Sequence, residues 1–418
     1  MTVARAIEAV LGPDLPIGVR AYDGSRLGPE DPPATLLIRS PALFQRMLTA
    51  PGELGLGRAY VAGELDVEGD VYAALSALRN RVPDVRRFDL RRWAEVARLV
   101  GRAGRRRLPV PPEEARLCGR RHSKERDAEA IAHHYDVSNA FYRMVLGPSM
   151  TYSCAVWDRP EVTLEQAQAA KYELVCRKLG LEPGMRLLDV GCGWGGMAMH
   201  AAERHGVHAV GITLSRHQVD WAEKAVAEAG LADRVEIRFQ DYRDVRDGLF
   251  HPFDAISSIG MFEHVGLSQL RVYFGRIGRL LRPGGRLLNH GISRPPNRGR
   301  TRFQRGSFID RYVFPDGELH EIGSVVSTIQ RSGLEVRHVE TLREHYALTL
   351  RAWVRNLEES WDAAVAEVGP GRARVWRLYM AASALNFEAG RTQVHQVLAV
   401  RAERGRSGLP LRPRFEQV

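Results

Sequence analysis

Residues 188–196 read Leu188-Asp189-Val190-Gly191-Cys192-Gly193-Trp194-Gly195-Gly196, behind the apolar run Met185 to Leu188. The run predicts a strand ending in an acid. The glycines predict a tight turn, and a helix follows near Met197. Gly191, Gly193 and Gly195 permit backbone angles closed to other residues and let a ligand approach the main chain. Their spacing, G-x-G-x-G, is not the dinucleotide fingerprint G-x-G-x-x-G, and no phosphate-loop lysine follows. The same turn would also serve as a bare strand-to-helix connection with no ligand.

Working outward, strand and helix patterns alternate. The spacing predicts strand 185–190, helix 196–205, strand 207–212, helix 216–229, strand 234–239, strand 254–259, helix 268–281 and strand 286–292, with an earlier helix from Glu165 to Leu179. That alternation predicts an α/β fold with a doubly wound, mostly parallel sheet. Ligands of such sheets sit beyond the carboxyl ends of the strands, at the topological switch point. Asp189, Thr213, Asp241, Glu263 and His290 all fall at or just after predicted strand ends. Before residue 80 the texture is different, and a smaller α+β domain is expected. Pro33 to Arg39 reads as a strand and Ser40 to Leu48 as a capped helix. Leu54-Gly-Leu-Gly reads as a turn before a short helix at Ala59. Arg-rich helical segments over 83–108 stop at Pro109, Pro111 and Pro112. A helix from Ala128 carries His133 and His134, adjacent residues that cannot share a face, so no metal pair is expected there.

A length of 418 residues suggests two domains, and 44% apolar with 26% charged residues is ordinary for a globular chain. No apolar run is long enough to span a membrane. The N-terminus is a poor signal peptide, interrupted at Gly12-Pro13. Cys118, Cys154, Cys176 and Cys192 show no zinc or disulfide spacing, and reduced thiols in a cytoplasmic protein with no metal are expected. Charge is more informative. Arg79 to Arg126 holds fifteen arginines and one lysine against six acids, an excess equal to the net +10 of the whole chain. Such a segment is either a solvated face or a docking patch for a polyanion, nucleic acid or anionic lipid. Phe88 and Trp93 are its only aromatics, which argues against a single-strand nucleic-acid groove.

An acid two residues before the first glycine is the arrangement used by S-adenosylmethionine (SAM) methyltransferases of class I, whose ligand carries an ammonium and a sulfonium but no pyrophosphate. The resemblance then becomes specific. Ala132-His-His-Tyr-Asp-Val-Ser-Asn, Met150-Thr-Tyr-Ser-Cys-Ala-Val-Trp, the 188–196 turn, Gln240-Asp-Tyr-Arg-Asp, Gly260-Met-Phe-Glu-His-Val-Gly and Tyr312-Val-Phe-Pro-Asp-Gly occur in this order. Together they resemble the cyclopropane-fatty-acyl-phospholipid synthases, related to the mycolic acid cyclopropane synthases. The likeness covers about residues 127–400. It reaches weakly into 1–108 through Leu54-Gly-Leu-Gly-Arg-Ala-Tyr-Val-Ala-Gly.

The resemblance implies a lipid- or membrane-binding domain over 1–108, a basic linker over 109–126 and a catalytic domain with an acyl-chain-binding cap over 127–418. It implies a bicarbonate ion held by Cys154, Glu263, His290 and Tyr346, with Ile292 as backbone donor. SAM would meet Tyr152, Ser153, Asp189, Gly191, Gly193, Thr213, Leu214, Gln218, Asp241 and Tyr242. The implied partners are a phospholipid with an unsaturated acyl chain and an anionic membrane surface, bound peripherally from the cytoplasm. No nucleic acid is implied, and a homodimer is left open.

The chemistry suits these residue types. An alkene is a weak nucleophile that needs no general base to attack, so the task is chiefly to hold the sulfonium methyl and the double bond in line. Attack leaves a carbocation, which an anion and aromatic faces stabilise, and a base must then remove a methyl proton before the ring closes. Ordinary structural roles remain open for each residue: a small buried residue for Cys154, a helix start for Glu263 and His264, a core histidine for His290, a helix cap for Asp241, and core packing for Tyr346, Trp353, Leu357 and Trp361. Two departures matter. Some relatives carry a late cysteine where this chain has Ser383, so no thiol can be required there. Relatives that make methyl-branched acids lose the histidine aligned with His290, and this chain keeps it.

Overall fold

The structure is a computed structural model. It describes residues 2–79, 81, 108–115, 126, 137–246, 251–296, 307–315 and 317–415. Most of the basic segment, its expected helices over 83–108, and the expected helix at Ala128 with His133 and His134 lie outside the described residues.

The chain divides into two compact units. The first takes in Met1–Arg116, Gln304–Pro315 and Ser360–Leu385, and the second takes in Leu117–Phe303, Asp316–Glu359 and Asn386–Val418. The segments expected from the sequence are contiguous, whereas both units here are assembled from separated stretches.

The first unit holds a four-stranded sheet in the order β2-β1-β3-β4, with β1 Gly18–Ala21, β2 Arg26–Leu27, β3 Ala34–Ile38 and β4 Leu65–Gly69. β1 and β3 are parallel, and the other pairings are antiparallel. Ile7, Leu36, Phe44 and Leu65 lie in its core. One expectation is corrected here. Leu54-Gly-Leu-Gly is not a turn but part of the helix Glu53–Val61. A side chain at Gly55 would overlap the Ala50 carbonyl, and one at Gly57 would overlap the Phe308 ring. Close approach, not chain reversal, explains these glycines, and tertiary packing overrides their poor helix propensity. Within the described part of the expected linker, Pro109, Val110 and Pro112 are exposed and Glu114 and Ala115 are buried. The buried Glu114 carboxylate accepts from Arg58 Nε at 2.9 Å and Nη2 at 2.8 Å, and the Ala115 amide donates to the Arg311 carbonyl.

The second unit is built on a sheet in the order β11-β12-β9-β8-β5-β6-β7, with a short β10 beside β9. Its strands are β5 Arg186–Val190, β6 His208–Thr213, β7 Val235–Phe239, β8 Phe253–Ile259, β9 Leu281–Arg294, β10 His320–Glu321, β11 Glu335–Thr341 and β12 Gln393–Val400. β5 to β9 run parallel, and β12 is antiparallel to both of its neighbours. Successive side chains of a strand point to opposite faces. Thus Leu187 joins a cluster with Val175, Met197, Ala201 and Ala222, while Leu188 joins one with Phe274, Ile277 and Ile329. Both faces are covered, as a parallel sheet requires. Caps fix the helix ends near the pocket. Thr163 and Gln166 form a reciprocal capping box on helix Leu164–Leu179, and Ser215 caps Arg216–Glu228.

From β5 the chain moves outward to β6 and β7, then returns to lay β8 and β9 on the other side. The switch point therefore lies at the carboxyl ends of β5 and β8, where the glycine turn emerges.

Candidate active site

A pocket opens at this switch point. Its wall includes the turn Gly191, Cys192, Gly193 and Trp194, the end of β6 at Thr213 and Leu214, and Gly260 and Met261 after β8. Gly191, Gly193 and Gly195 have φ of 77°, 56° and 85°, the left-handed region that favours glycine. A β-carbon at Gly193 would meet nothing within 4 Å, so the turn presents bare backbone to open space.

Of the residues expected to meet SAM, Tyr152, Ser153, Asp189, Gly191, Gly193, Thr213, Leu214, Gln218 and Tyr242 all line this pocket. Asp241 is not among its lining residues. Its carboxylate is engaged by Arg243, through Nε at 2.8 Å, Nη2 at 2.6 Å and the backbone amide, and it caps the short helix Tyr242–Asp244. Gln240 stands at the wall instead. Thr213 Oγ1 donates to Gln218 Oε1 at 2.6 Å, which ties the β6 end to the next helix.

Two buried groups shape the electrostatics. Asp189 accepts from Ser257 Oγ at 2.6 Å, and burial pushes its carboxyl up to about 6, against the pull of that hydrogen bond and of Lys171. Lys171, also buried, donates to Ser153 Oγ at 3.1 Å and lies 3.8 Å from the centre of the Tyr172 ring. Burial lowers its ammonium to about 7, opposed by Asp189. Tyr152 and Trp194 add rings to the wall and are backed from the core, Trp194 by Tyr142 at 4.8 Å and Tyr152 by Trp353 at 5.2 Å. Trp353 and Leu357 are core residues, and Trp361 is half-buried.

The five residues expected around an anion are linked through the pairing of β9 and β12. Glu263 Oε1 accepts from the Ile292 amide at 2.6 Å. His290 lies two residues earlier on the same face of β9, roughly 6–7 Å along the strand. Ile292 pairs with Val394, whose carbonyl accepts from the Leu342 amide at 2.9 Å. The Leu342 carbonyl in turn accepts from Cys154 Sγ at 3.7 Å and from the Tyr346 amide at 3.1 Å. The Tyr346 ring packs on Phe387 at 4.7 Å and edge-on to Trp353. The Ile292 amide, expected to face the anion itself, is engaged by Glu263. A side chain at Gly291 would overlap Phe262, so this glycine lets the Phe262–Glu263 turn approach β9.

Two buried polar atoms here have no hydrogen-bond partner, Glu263 Oε2 and His290 Nε2. Burial pushes the Glu263 carboxyl up to about 7, although the Ile292 amide opposes the shift. Burial holds His290 well below the usual imidazole range, so it is neutral. Its tautomer follows from its neighbours. Buried Lys178 donates to Gln396 Oε1 at 2.7 Å, which turns the Gln396 amide nitrogen toward His290 Nδ1 at 3.2 Å. Nδ1 therefore accepts and Nε2 carries the proton. Lys178 also pairs with Glu340. Burial raises the pKa of the Cys154 thiol, which stays protonated.

The sequence reading missed Lys171, Lys178, Gln396 and Gly291. A signal existed for the lysines: Gln168, Lys171, Val175 and Lys178 follow helical spacing on one face, and all four are buried.

Comparison with known proteins bears on this geometry. The family model described as mycolic acid cyclopropane synthetase matches residues 122–397. The chain belongs to that family. Its members are SAM-dependent methyltransferases that act on double bonds of lipid acyl chains. A "probable fatty acid methyltransferase" of Mycobacterium tuberculosis is 53% identical over 409 residues, covering 95% of this chain and 94% of that protein. The cyclopropane-fatty-acyl-phospholipid synthase of Escherichia coli K12 is 33% identical over 370 residues, covering 88% and 87%. The solved structure of the mycolic acid cyclopropane synthase CmaA1, complexed with SAH and CTAB, superposes with a TM-score of 0.61 at 34% identity, covering 65% of this chain and 98% of that one. The fold is that of a SAM-dependent methyltransferase: the alternation predicts its doubly wound sheet, and the family resemblance implies the rest. No helix among the described residues is long and apolar enough to cross a membrane.

Proposed function

We propose that this protein transfers a methylene group from SAM to the double bond of an unsaturated phospholipid acyl chain, giving a cyclopropane. SAM supplies an electrophilic methyl group. The glycine turn, Asp189, Tyr152 and Ser153 would hold it, with Thr213 and Gln218 on the ribose side. The alkene attacks the methyl carbon as the carbon–sulfur bond breaks, and the carbocation that remains on the acyl chain loses a proton from the new methyl group as the ring closes.

The observation that carries this reading is the pair of unpartnered buried atoms, His290 Nε2 and Glu263 Oε2. Leaving such groups unsatisfied is costly. Neutral His290 offers a donor at Nε2. Glu263, with its carboxyl near 7, either donates as an acid or accepts as a carboxylate. That donor set fits a small oxyanion such as bicarbonate, with the Cys154 thiol and Tyr346 close by. A bound bicarbonate would supply negative charge and a proton acceptor beside the cation. Glu263 and His290 would hold it in place, and the Tyr152 and Trp194 rings of the pocket wall would exclude water and face the positive charge.

The same alkene methylation could end in a methylene- or methyl-branched chain, and the retained His290 favours ring closure. The protein should be expressed in a host lacking cyclopropane lipids and its fatty acids analysed by mass. Chains one CH2 heavier than their unsaturated precursors and inert to mild hydrogenation are expected. Products that take up hydrogen, or already saturated branched chains, would replace this reading with the alternative.

Docking on the bilayer is assigned to the Arg79–Arg126 segment. Basic residues near an anionic surface contribute about 1 kcal/mol each. Reversing Arg105, Arg106 and Arg107 to Glu should reduce sedimentation with anionic vesicles and leave SAM binding unchanged. Indifference to vesicle charge would move docking elsewhere.

A further inference from the structure

The cysteine spacings carry no zinc signature, yet the fold brings Cys176 together with two histidines. Cys176 on helix Leu164–Leu179 and His200 and His205 on helix Gly196–His205 place one ligand atom each within 4.8 Å of one another. A fourth donor borders the two histidines. Glu173 Oε2 lies 3.4 Å from His200 Nε2 and 3.0 Å from His205 Nε2. Arg177 Nε lies 4.0 Å from the other carboxylate oxygen, leaving Oε2 to the imidazoles. We propose that Cys176, His200, His205 and Glu173 form a binding site for a divalent transition metal of the zinc class.

The donor set argues for that class. One thiolate, two imidazoles and one carboxylate suit a borderline-soft, tetrahedral ion and not magnesium or calcium, which take oxygen ligands. Ligand atoms about 2.0–2.3 Å from a tetrahedral zinc ion lie roughly 3.3–3.8 Å apart. The two Glu173–imidazole separations are already at or just under that range, so modest side-chain movement would close the site. Cys176 is fully buried, whereas the imidazoles and the carboxylate are partly exposed, so an ion can enter from solvent. Binding would form four metal–ligand bonds and release the Cys176 thiol proton to solvent.

The location gives the ion a consequence. It would join the helices that precede and follow β5, which pack together on one face of the sheet. One of them, Gly196–His205, starts directly after the glycine turn. His200 packs on Tyr172 at 5.6 Å, and Tyr172 is a wall residue of the SAM pocket held by Thr151 at 2.6 Å. Occupancy should therefore stiffen the turn and tighten SAM binding without contributing to the chemistry.

The test is titration of the purified full chain with Co2+, then competition by Zn2+. The expected result is one ion per chain with a sulfur-to-cobalt charge-transfer band that zinc abolishes. Cys176→Ser should remove the band and Cys192→Ser should keep it. His205→Gln, at a partly exposed position, should weaken affinity at least about tenfold with circular dichroism unchanged. Zinc should also raise the melting temperature of the wild-type protein but not of His205→Gln. A missing band, a band that survives Cys176→Ser, or zinc binding indifferent to His205→Gln would overturn the site.

Discussion

The SAM pocket and the β9–β12 cluster are neighbours in one unit, but they are built in opposite ways. The pocket grows from a contiguous turn whose glycines expose main chain at the switch point. The cluster gathers Cys154, Glu263, His290 and Tyr346 from separate segments, joined through Leu342, Val394 and Ile292. The pocket has bare backbone at Gly193, where a ligand fits by shape. The cluster has two orphan polar atoms, where a ligand would be held by charge and hydrogen bonding. Under the proposed function the difference amounts to a division of labour, in which one region would bind the methyl donor and the other would manage the cation and its proton. Interactions made mainly in the transition state raise turnover without tightening binding.

The largest expected effect separates the two. Glu263→Gln or His290→Ala should cut turnover roughly 100- to 10,000-fold, the range for losing a proton-handling group. Initial rates on vesicles of unsaturated phospholipid check this, and rates near wild type would break the comparison from the cluster side. Gly193→Val should break it from the other side. The added side chain projects into the space assigned to SAM, and φ of 56° strains a β-branched residue. SAM affinity should fall about 100-fold, a little under 3 kcal/mol, with circular dichroism near wild type.

Smaller effects sharpen the account of His290. Gln396→Leu removes the hydrogen bond that fixes its tautomer, and turnover should fall about tenfold, the equivalent of one hydrogen bond. Gln396→Glu has the same shape but would draw the His290 proton onto Nδ1. It should be no better than the leucine variant, whereas a mere packing role would be rescued by it.

Stability should report Glu263 independently of activity. Its folded carboxyl is raised to about 7 from an ordinary value near 4.5. The folded state therefore holds the proton more tightly, so this stabilisation is full below pH 4.5 and is lost as pH rises through 7. Glu263→Gln should gain melting temperature relative to wild type at pH 8, by a few degrees, and lose that advantage at pH 5. The smallest effect belongs to Ser383→Ala, where turnover should change less than twofold, because no thiol is available at that position for the chemistry.

The pocket was legible in the sequence because strand, acid, glycines and helix follow one another within a dozen residues, and nine of ten expected SAM residues line it. Asp241 escaped because an acid after a strand also caps a helix, and here Arg243 takes its carboxylate. The cluster was legible only through the family resemblance. Nothing local indicates that β12, at the end of the chain, inserts antiparallel beside β9 and delivers Gln396 to His290. Lys178 reads as one more basic residue at a helix end until the sheet buries it. In the first unit, Gly55 and Gly57 read as turn residues because close packing and chain reversal select the same amino acid.

The division of labour is tested most directly by calorimetric titration of SAM into the Glu263→Gln, His290→Ala double variant. The account predicts an affinity within about twofold of wild type in a protein that no longer turns over. A loss of affinity comparable to that of Gly193→Val would show that the cluster belongs to the binding site, and would contradict the separation of binding from chemistry.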